Sequence, residues 1–416
     1  MTQRRVVITG MGTVNPVGNT VKEFWDGLLT GKSGLGMIDR FDTSAYTSRI
    51  GGQVKWSGVA PEHVHPRESR KMDRFCQYAV QASCDAVDDS GIDFAAEDVS
   101  RCGVLVGSGI GGLETLEAQT LRAHAKGPMK ISPFTVPRLM VNAASGHLGI
   151  RYGLMGPNFS VVTACASAAH AIGEAMHVIQ RDDADVMITG GSEATICMVG
   201  LASFCSLRGL STRNDDPTVA SRPWDKDRDG FVLAEGAGCM IIEELEHAKA
   251  RGATIYGELV GYGASCDANH ITAPHPNGDG AALAMRACVA SAGMNFSDIG
   301  YINAHGTSTP LGDIAETNAI KKVFGDWATD GLTVSSTKSL TGHMLGASGG
   351  VELIACVKAM QDNVLPATYN HGEPSEGCDL DYIPNQPREV KVDAMLSNSF
   401  GFGGHNGCLI LKRFED

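Results

Sequence analysis

Short β-rich apolar runs alternate along this chain with longer stretches of helical periodicity, and that alternation restricts it to the α/β class. Arg5–Thr9, Cys102–Val106, Phe159–Val162, Val186–Thr189, Gly238–Glu243, Gly257–Gly261, Tyr301–Asn303, Thr333–Ser335, Ala394–Asn398 and Cys408–Lys412 read as strands. Helical patterns fill spaces between them, among them Phe75–Ser90, Ser167–Gln180, Gly280–Ala292 and Gly349–Gln361. The pattern also repeats: Arg5–Gly12 and Tyr256–Gly263 are both apolar strands ending in Gly-x-Gly. A second echo sets Thr163-Ala164-Cys165 against Thr341-Gly342-His343, each before a small-residue helix with a glutamate nine positions on. Two halves, 1–252 and 253–416, are therefore expected in one unit without a linker, with Cys165 and His343 at comparable helix starts.

Composition narrows the functional class. A net charge of −13 argues against a nucleic-acid binder, and no apolar run is long enough to cross a membrane. Val6-Val7-Ile8 is too short for a signal-peptide core and reads as the first strand. The twelve cysteines show no CxxC pair and no metal-ligand spacing, which suits reduced, buried thiols in a cytoplasmic protein. Glycine supplies 51 of 416 residues, gathered at the ends of apolar runs, where the chain turns tightly or admits a substrate to the backbone. One segment is locally basic: Arg67, Arg70, Lys71 and Arg74 against Glu68 and Asp73. It reads as a docking patch for an acidic partner, or equally as a solvated helix face with internal charge pairs.

Cys165 differs from the other cysteines. It ends an apolar run and precedes a helix of small residues, Ala166-Ser167-Ala168-Ala169. A thiol at a helix N-terminus is expected to have a lowered pKa and to act as a nucleophile. The same motif also suits a cysteine that merely packs. His305, in Asn303-Ala304-His305-Gly306-Thr307-Ser308-Thr309, and His343, five residues after Lys338, lie in polar loops after strands and favour a catalytic constellation.

These motifs, with Gly401-Phe402-Gly403-Gly404, resemble the active-site signatures of the β-ketoacyl-[acyl-carrier-protein] synthases from residue 4 to residue 412. Ser221-Arg222-Pro223-Trp224-Asp225 and Arg228-Asp229-Gly230-Phe231 are similar to the elongating type II members. The resemblance implies a thiolase-like five-layer αβαβα fold of two pseudo-symmetric halves, working as a homodimer. It implies that Cys165 accepts the acyl group, and that His305 and His343, as neutral imidazoles, stabilise the enolate left when a malonyl thioester loses carbon dioxide. The N–H groups of Cys165 and Phe402 would hold the later oxyanion.

By the same resemblance, Lys338 acts electrostatically with Glu352 as its partner, and Asp313 supports the site. Thr307 and Thr309 bind the phosphopantetheine arm, Phe402 gates the pocket between Gly401 and Gly403, and Ile110 limits chain length. Arg67, Arg70 and Lys71, with Arg208, match the docking patch for acyl carrier protein. No cofactor is implied, since phosphopantetheine arrives on the carrier; some members hold a monovalent cation near Asn303, Glu352, Ser397 and Asn398. His405 stands where many members carry threonine, which bears on hydrogen bonding in the gate.

Other readings are weaker. Gly107-Ser108-Gly109-Ile110-Gly111-Gly112 satisfies G-x-G-x-x-G, but the segment that should carry the ribose-binding acid has none. A silent chain-length factor would lack the nucleophile, thiolases use a second cysteine, and starter-type synthases replace one histidine by asparagine. An active ketosynthase of a type II polyketide pathway stays as the alternative, because it carries the same catalytic residues.

Overall fold

The computed structural model describes residues 4–56 and 63–415. The strands of its main sheet are β1 (Val6–Val14), β2 (Cys102–Gly107), β3 (Asn158–Phe159), β4 (Val186–Glu193) and β5 (Gly236–Glu244), then β6 (Gly257–Cys266), β7 (Tyr301–Asn303), β8 (Thr333–Ser335), β9 (Ala394–Gly401) and β10 (His405–Lys412). In space they run β3-β2-β4-β5-β1-β6-β10-β9-β7-β8. Read outward from the centre, both halves show two antiparallel and then two parallel pairings. The halves meet where Val6–Ile8 pairs with Gly257–Leu259.

Helices α1 (Arg74–Ser90), α2 (Leu113–Lys126), α3 (Ala143–Tyr152), α4 (Ser167–Gln180), α5 (Asp279–Ser291), α6 (Pro310–Phe324) and α7 (Ser348–Asp362) complete the frame. Helices α4 and α7 pack on each other between the two half-sheets and are buried almost all round, which explains their run of small and apolar residues. Helices α1 and α3 cover one outer face and α5 and α6 the other. Five layers result. Strand residues serve both neighbouring layers by alternation: Ala237, Cys239 and Ile241 face α1, while Met240 and Ile242 face the middle. Cys408 and Ile410 face α5 while Leu409 and Leu411 face the middle, so each half-sheet is apolar on both sides.

The Gly-x-Gly echo now has a physical reason. A Cβ at Gly10 or Gly12 would lie 2.1 or 2.0 Å from the carbonyls of Ala86 and Ala82 on α1. At Gly261 and Gly263 it would lie 2.7 and 2.2 Å from those of Cys288 and Ala284 on α5. These glycines admit a helix backbone, not a turn or a substrate as the sequence suggested. The second echo is shifted. The 3-10 turns Ala164–Ala166 and Leu345–Ala347 begin with left-handed residues, Ala164 at φ 50° and Leu345 at φ 47°, and lead directly into α4 and α7. Gly346, not His343, is thus the counterpart of Cys165, and His343 lies three residues before it. The expected strand Phe159–Val162 shrinks to β3, because the chain leaves the sheet to build the Cys165 turn.

At the seam between the halves, buried Glu243 accepts from Arg251 and His247, while His247 also meets Glu97 at 3.0 Å. Hydrogen bonds to Glu243 outweigh burial and push His247 up to about 9. Burial would raise Glu243, but Arg251, His247 and Thr9 bring it down to about 2. The His247 contribution is complete below its ordinary 6.5 and fades as pH rises through about 9. That of Glu243 is complete above 4.5 and fades only as pH falls through about 2. His247→Gln should therefore lower the melting temperature at pH 6 by a few degrees, ~1–2 kcal/mol. The gap to wild type should narrow by pH 10; an equal gap at both values would leave His247 a packing role only.

Candidate active site

Cys165 sits in the 3-10 turn that opens α4, at the floor of a cavity of about 550 Å³ lined by both halves. The turn is shaped by its neighbours: the Ser167 hydroxyl donates to Ala164 O at 2.7 Å and accepts from Thr163 N–H at 2.9 Å. Across from it, β9 ends at Gly401, where a Cβ would lie 2.8 Å from Thr163 O and 3.0 Å from Cys165 N. Glycine there lets the chain pass against the Cys165 turn, and Phe402 follows it on the wall of the same cavity. Beyond Phe402 the loop is held by left-handed Gly403 and Gly404; Gly403 N–H donates to Ile271 O at 2.7 Å, and Gly404 O accepts from Asp267 N–H at 2.9 Å. His405 starts β10 opposite Cys266, with its ring beside Gly403.

The expected lowering of the thiol is corrected by burial. Cys165 is 7% exposed, and desolvation pushes it up to about 12 against the Lys338 charge and the Phe402 N–H. Cys165 is therefore held as a thiol at rest.

His305 and His343 stand edge to face, ring centroids 5.2 Å apart. Burial, and then the nearby Lys338 charge, hold both well below the ordinary imidazole value, so both are neutral near pH 7. His343 Nδ1 lies 3.1 Å from the Ser348 hydroxyl at the start of α7. When that hydroxyl donates, the proton of His343 resides on Nε2, toward the cavity. His305 is fixed through its backbone: its N–H and that of Gly306 donate to Glu316 at 2.9 and 2.7 Å, and Asn398 Nδ2 adds 3.0 Å. Lys338 is buried and forms an ion pair with Glu352.

The remaining sequence candidates fall into three groups. Thr307 and Thr309, their hydroxyls 3.0 Å apart, line the cavity with Ile110, Gly401 and Phe402. Asp313 lies behind them, fully buried, paired with Arg228 at 3.3 Å and accepting from Trp224 N–H at 2.9 Å; burial pushes its carboxyl up to about 6. Arg67, Arg70 and Lys71 are exposed on the short helix Pro66–Ser69 and the turn after it, and Arg208 is exposed at the cavity rim. Arg74 leaves that patch, because its guanidinium is turned onto Glu114.

Asn303 Oδ1 and Glu352 Oε2 are buried without a hydrogen-bond partner among the described residues, while Asn398 is already taken by Glu316 and Cys408. Two orphaned oxygens fit an oxygen-liganded monovalent cation, with Ser397 beside Asn303 in the sheet register. No group of three or more His, Cys, Asp or Glu suited to a metal ion occurs among the described residues. The decoy glycine loop is occupied from within: the amides of Gly109 and Ile110 donate to the carboxylate of Glu193, which would repel a phosphate.

Sequence reasoning missed Glu316, Ser348, Arg228 and Glu193. Glu316 and Asp313 resemble ordinary acids in the first turns of a helix, and nothing in their spacing reports that their carboxylates turn inward.

If the thiol reading holds, alkylation of Cys165 by iodoacetamide, followed by peptide mass mapping, should quicken about tenfold per pH unit between pH 7 and 9. A plateau already at pH 7 would reveal a resting thiolate instead.

Comparison with known proteins identifies the family. Residues 3–248 match the family model described as beta-ketoacyl synthase, N-terminal domain, and residues 256–371 match its C-terminal domain. The 3-oxoacyl-[acyl-carrier-protein] synthase 2 of Vibrio harveyi is 49% identical over 100% of both chains. That of Coxiella burnetii is 50% identical, again over 100% of both. Among solved structures, a type II polyketide ketosynthase bound to a hexaketide and complexed with its acyl-carrier protein superposes with TM-score 0.92, at 34% identity and 100% coverage of both chains. A beta-ketoacyl synthase from Burkholderia phymatum gives 0.90 at 34% identity, over 99% of this chain and 100% of the other.

Proposed function

Because the chain belongs to the β-ketoacyl synthase family, we propose that it condenses malonyl-acyl carrier protein with an acyl chain carried on Cys165, giving 3-oxoacyl-acyl carrier protein and carbon dioxide in fatty acid elongation. The observation that carries this reading is a buried thiol in a turn that Gly401 packs against, with two neutral histidines on the same apolar cavity. Relatives named synthase 2 reach 49–50% identity, against 34% for the polyketide ketosynthase, which favours elongation over the polyketide alternative. A silent chain-length factor is disfavoured, because nucleophile and both histidines share one cavity.

In the first half-reaction the Cys165 sulfur attacks the acyl thioester carbonyl, whose oxygen takes the charge and rests on the N–H groups of Cys165 and Phe402. The thiol proton passes to the departing phosphopantetheine thiol, and a neutral imidazole beside the sulfur can relay it. In the second, the malonyl thioester loses carbon dioxide and its enolate oxygen takes hydrogen bonds from His305 and His343. The Lys338 charge, close to both rings, favours the anion and keeps the imidazoles unprotonated. The enolate carbon attacks the acyl carbon, the same oxyanion site is used again, and the C–S bond breaks to release the Cys165 thiolate, which takes up one proton from solvent to return to the thiol. Each donor in such a site typically contributes 10²–10³ in rate, in round terms.

Thr307 and Thr309, both on the cavity wall, would hold the phosphopantetheine arm that arrives on the carrier; a cation at Asn303, Glu352 and Ser397 would be structural, neutralising the free Glu352 oxygen. Exposed Phe134, Val136, Ile150, Met155, Phe159 and Val162, next to the open edge of β3, suit burial against a second copy as a homodimer. Twelve free cysteines fit a reducing cytoplasm, and no helix among the described residues is long and apolar enough to cross a membrane.

Intact-mass spectrometry tests the assignment. Incubation with acyl-carrier-protein thioesters should give one acyl adduct per chain, on Cys165, and Cys165→Ser should give none. An adduct elsewhere would remove Cys165 as nucleophile, and no adduct with any chain length would turn the reading toward a polyketide carrier or a silent partner. His343→Ala should slow malonyl decarboxylation about 10²-fold or more; an unchanged rate would take it out of the site. Charge reversal at Arg67 and Lys71 should weaken carrier binding more at low salt than at high salt. Equal affinity at every salt concentration would return the segment to a solvated surface.

A further inference from the structure

The proposed chemistry makes no use of Glu193, the last residue of β4, although it is fully buried within reach of the nucleophile's turn. A buried carboxylate needs compensation, and this one has four donors. Its Oε1 accepts from the Ser108 hydroxyl at 3.0 Å and the Ile110 N–H at 3.2 Å. Its Oε2 accepts from the Gly109 N–H at 2.7 Å and the Gly346 N–H at 3.1 Å.

These donors belong to opposite walls. Ser108–Ile110 follow β2 in the N-terminal half, whereas Gly346 lies in the turn between His343 and α7. Ile110 and Leu345, one on each wall, both line the cavity with Cys165. The packing leaves no slack: a Cβ at either Gly109 or Gly346 would lie 2.7 Å from Glu193 Oε2, and one at Gly346 would lie 2.3 Å from Gly109 N. The chemistry is equally restrictive. All four partners donate, so glutamine would turn an NH₂ toward two donors, and aspartate would be one methylene short.

We propose that Glu193 is a positioning residue for acyl-chain selection, fixing Ile110 against the Gly346 turn and so setting the width of the acyl channel beside Cys165. It touches no substrate and acts through Ile110. This inference rests on the condensing-enzyme reading above and adds to it a determinant of which acyl thioesters transfer.

The test is single-turnover acylation of Cys165 by carrier protein bearing eight-carbon or sixteen-carbon saturated chains. Wild type is compared with Glu193→Gln, Ser108→Ala, Ile110→Ala and the double variant Glu193→Gln/Ile110→Ala. Glu193→Gln should change the ratio of the two rates about tenfold, the loss of one buried hydrogen bond's worth of restraint, and Ser108→Ala should move it the same way by less. The double variant should match Ile110→Ala alone, because both changes release the same wall. A general structural defect would slow both chains alike and leave the ratio unmoved, and that result, or additive effects in the double variant, would overturn the proposal. Ser108→Ala and Ile110→Ala carry the test if Glu193→Gln does not fold. A wild type that transfers neither chain would sink the condensing-enzyme reading and this inference together, whereas an unmoved ratio in an active enzyme would sink this inference alone.

Discussion

The structure depends on how closely α4 and α7 approach the strands on either side of them. Glycine makes that approach: a Cβ at Gly107 would lie 2.5 Å from Ser167 O, at Gly238 2.3 Å from Val351 N, and at Gly350 2.2 Å from Gly238 O. With side chains absent at those points, both helices lie at backbone contact with the half-sheets, and α4 touches α7 through Ala169 and Gly349. Their N-terminal turns therefore converge from two halves of the chain onto one cavity. Cys165 comes from one turn, and His343 from the loop just before the other.

Desolvation of the groups around that cavity sets their ionisation. Burial raises the Cys165 thiol and lowers both histidines, while one buried cation, Lys338, reinforces the second effect and partly opposes the first. The neutral state of both imidazoles follows from their position. The same burial favours the thiol form of Cys165 over a standing thiolate. A helix N-terminus, which the sequence suggested would suffice, is outweighed by desolvation at this depth.

Buried carboxylates brace the loops around that cavity. Glu316 gathers the amides of His305 and Gly306, Asp313 gathers Trp224 and Thr309, and Glu193 gathers Gly109, Ile110 and Gly346. In each case a buried carboxyl group accepts from backbone N–H groups that would otherwise be orphaned in a loop. The pairing fixes irregular backbone as firmly as a sheet ladder would. The site is therefore rigid although it is built from loops.

Local patterns in the sequence carried the class of fold, the repeated architecture and the candidate site residues. Strand periodicity, the Gly-x-Gly ends at Gly10–Gly12 and Gly261–Gly263, and the local motifs around Cys165, His305, Lys338 and His343 are all short-range signals. Tertiary structure alone decided what each of those signals is for. It showed that the strand glycines admit helices, that Gly346 and not His343 mirrors Cys165, and that α2, with Thr115 as its only buried residue, turns most of its surface away from this chain's core. It also decided the state of the thiol and the partners of Glu193, Glu316 and Asp313. Those depend on burial and on donors up to 153 residues away in the chain, as Gly346 is from Glu193, and no local pattern encodes a distance of that kind.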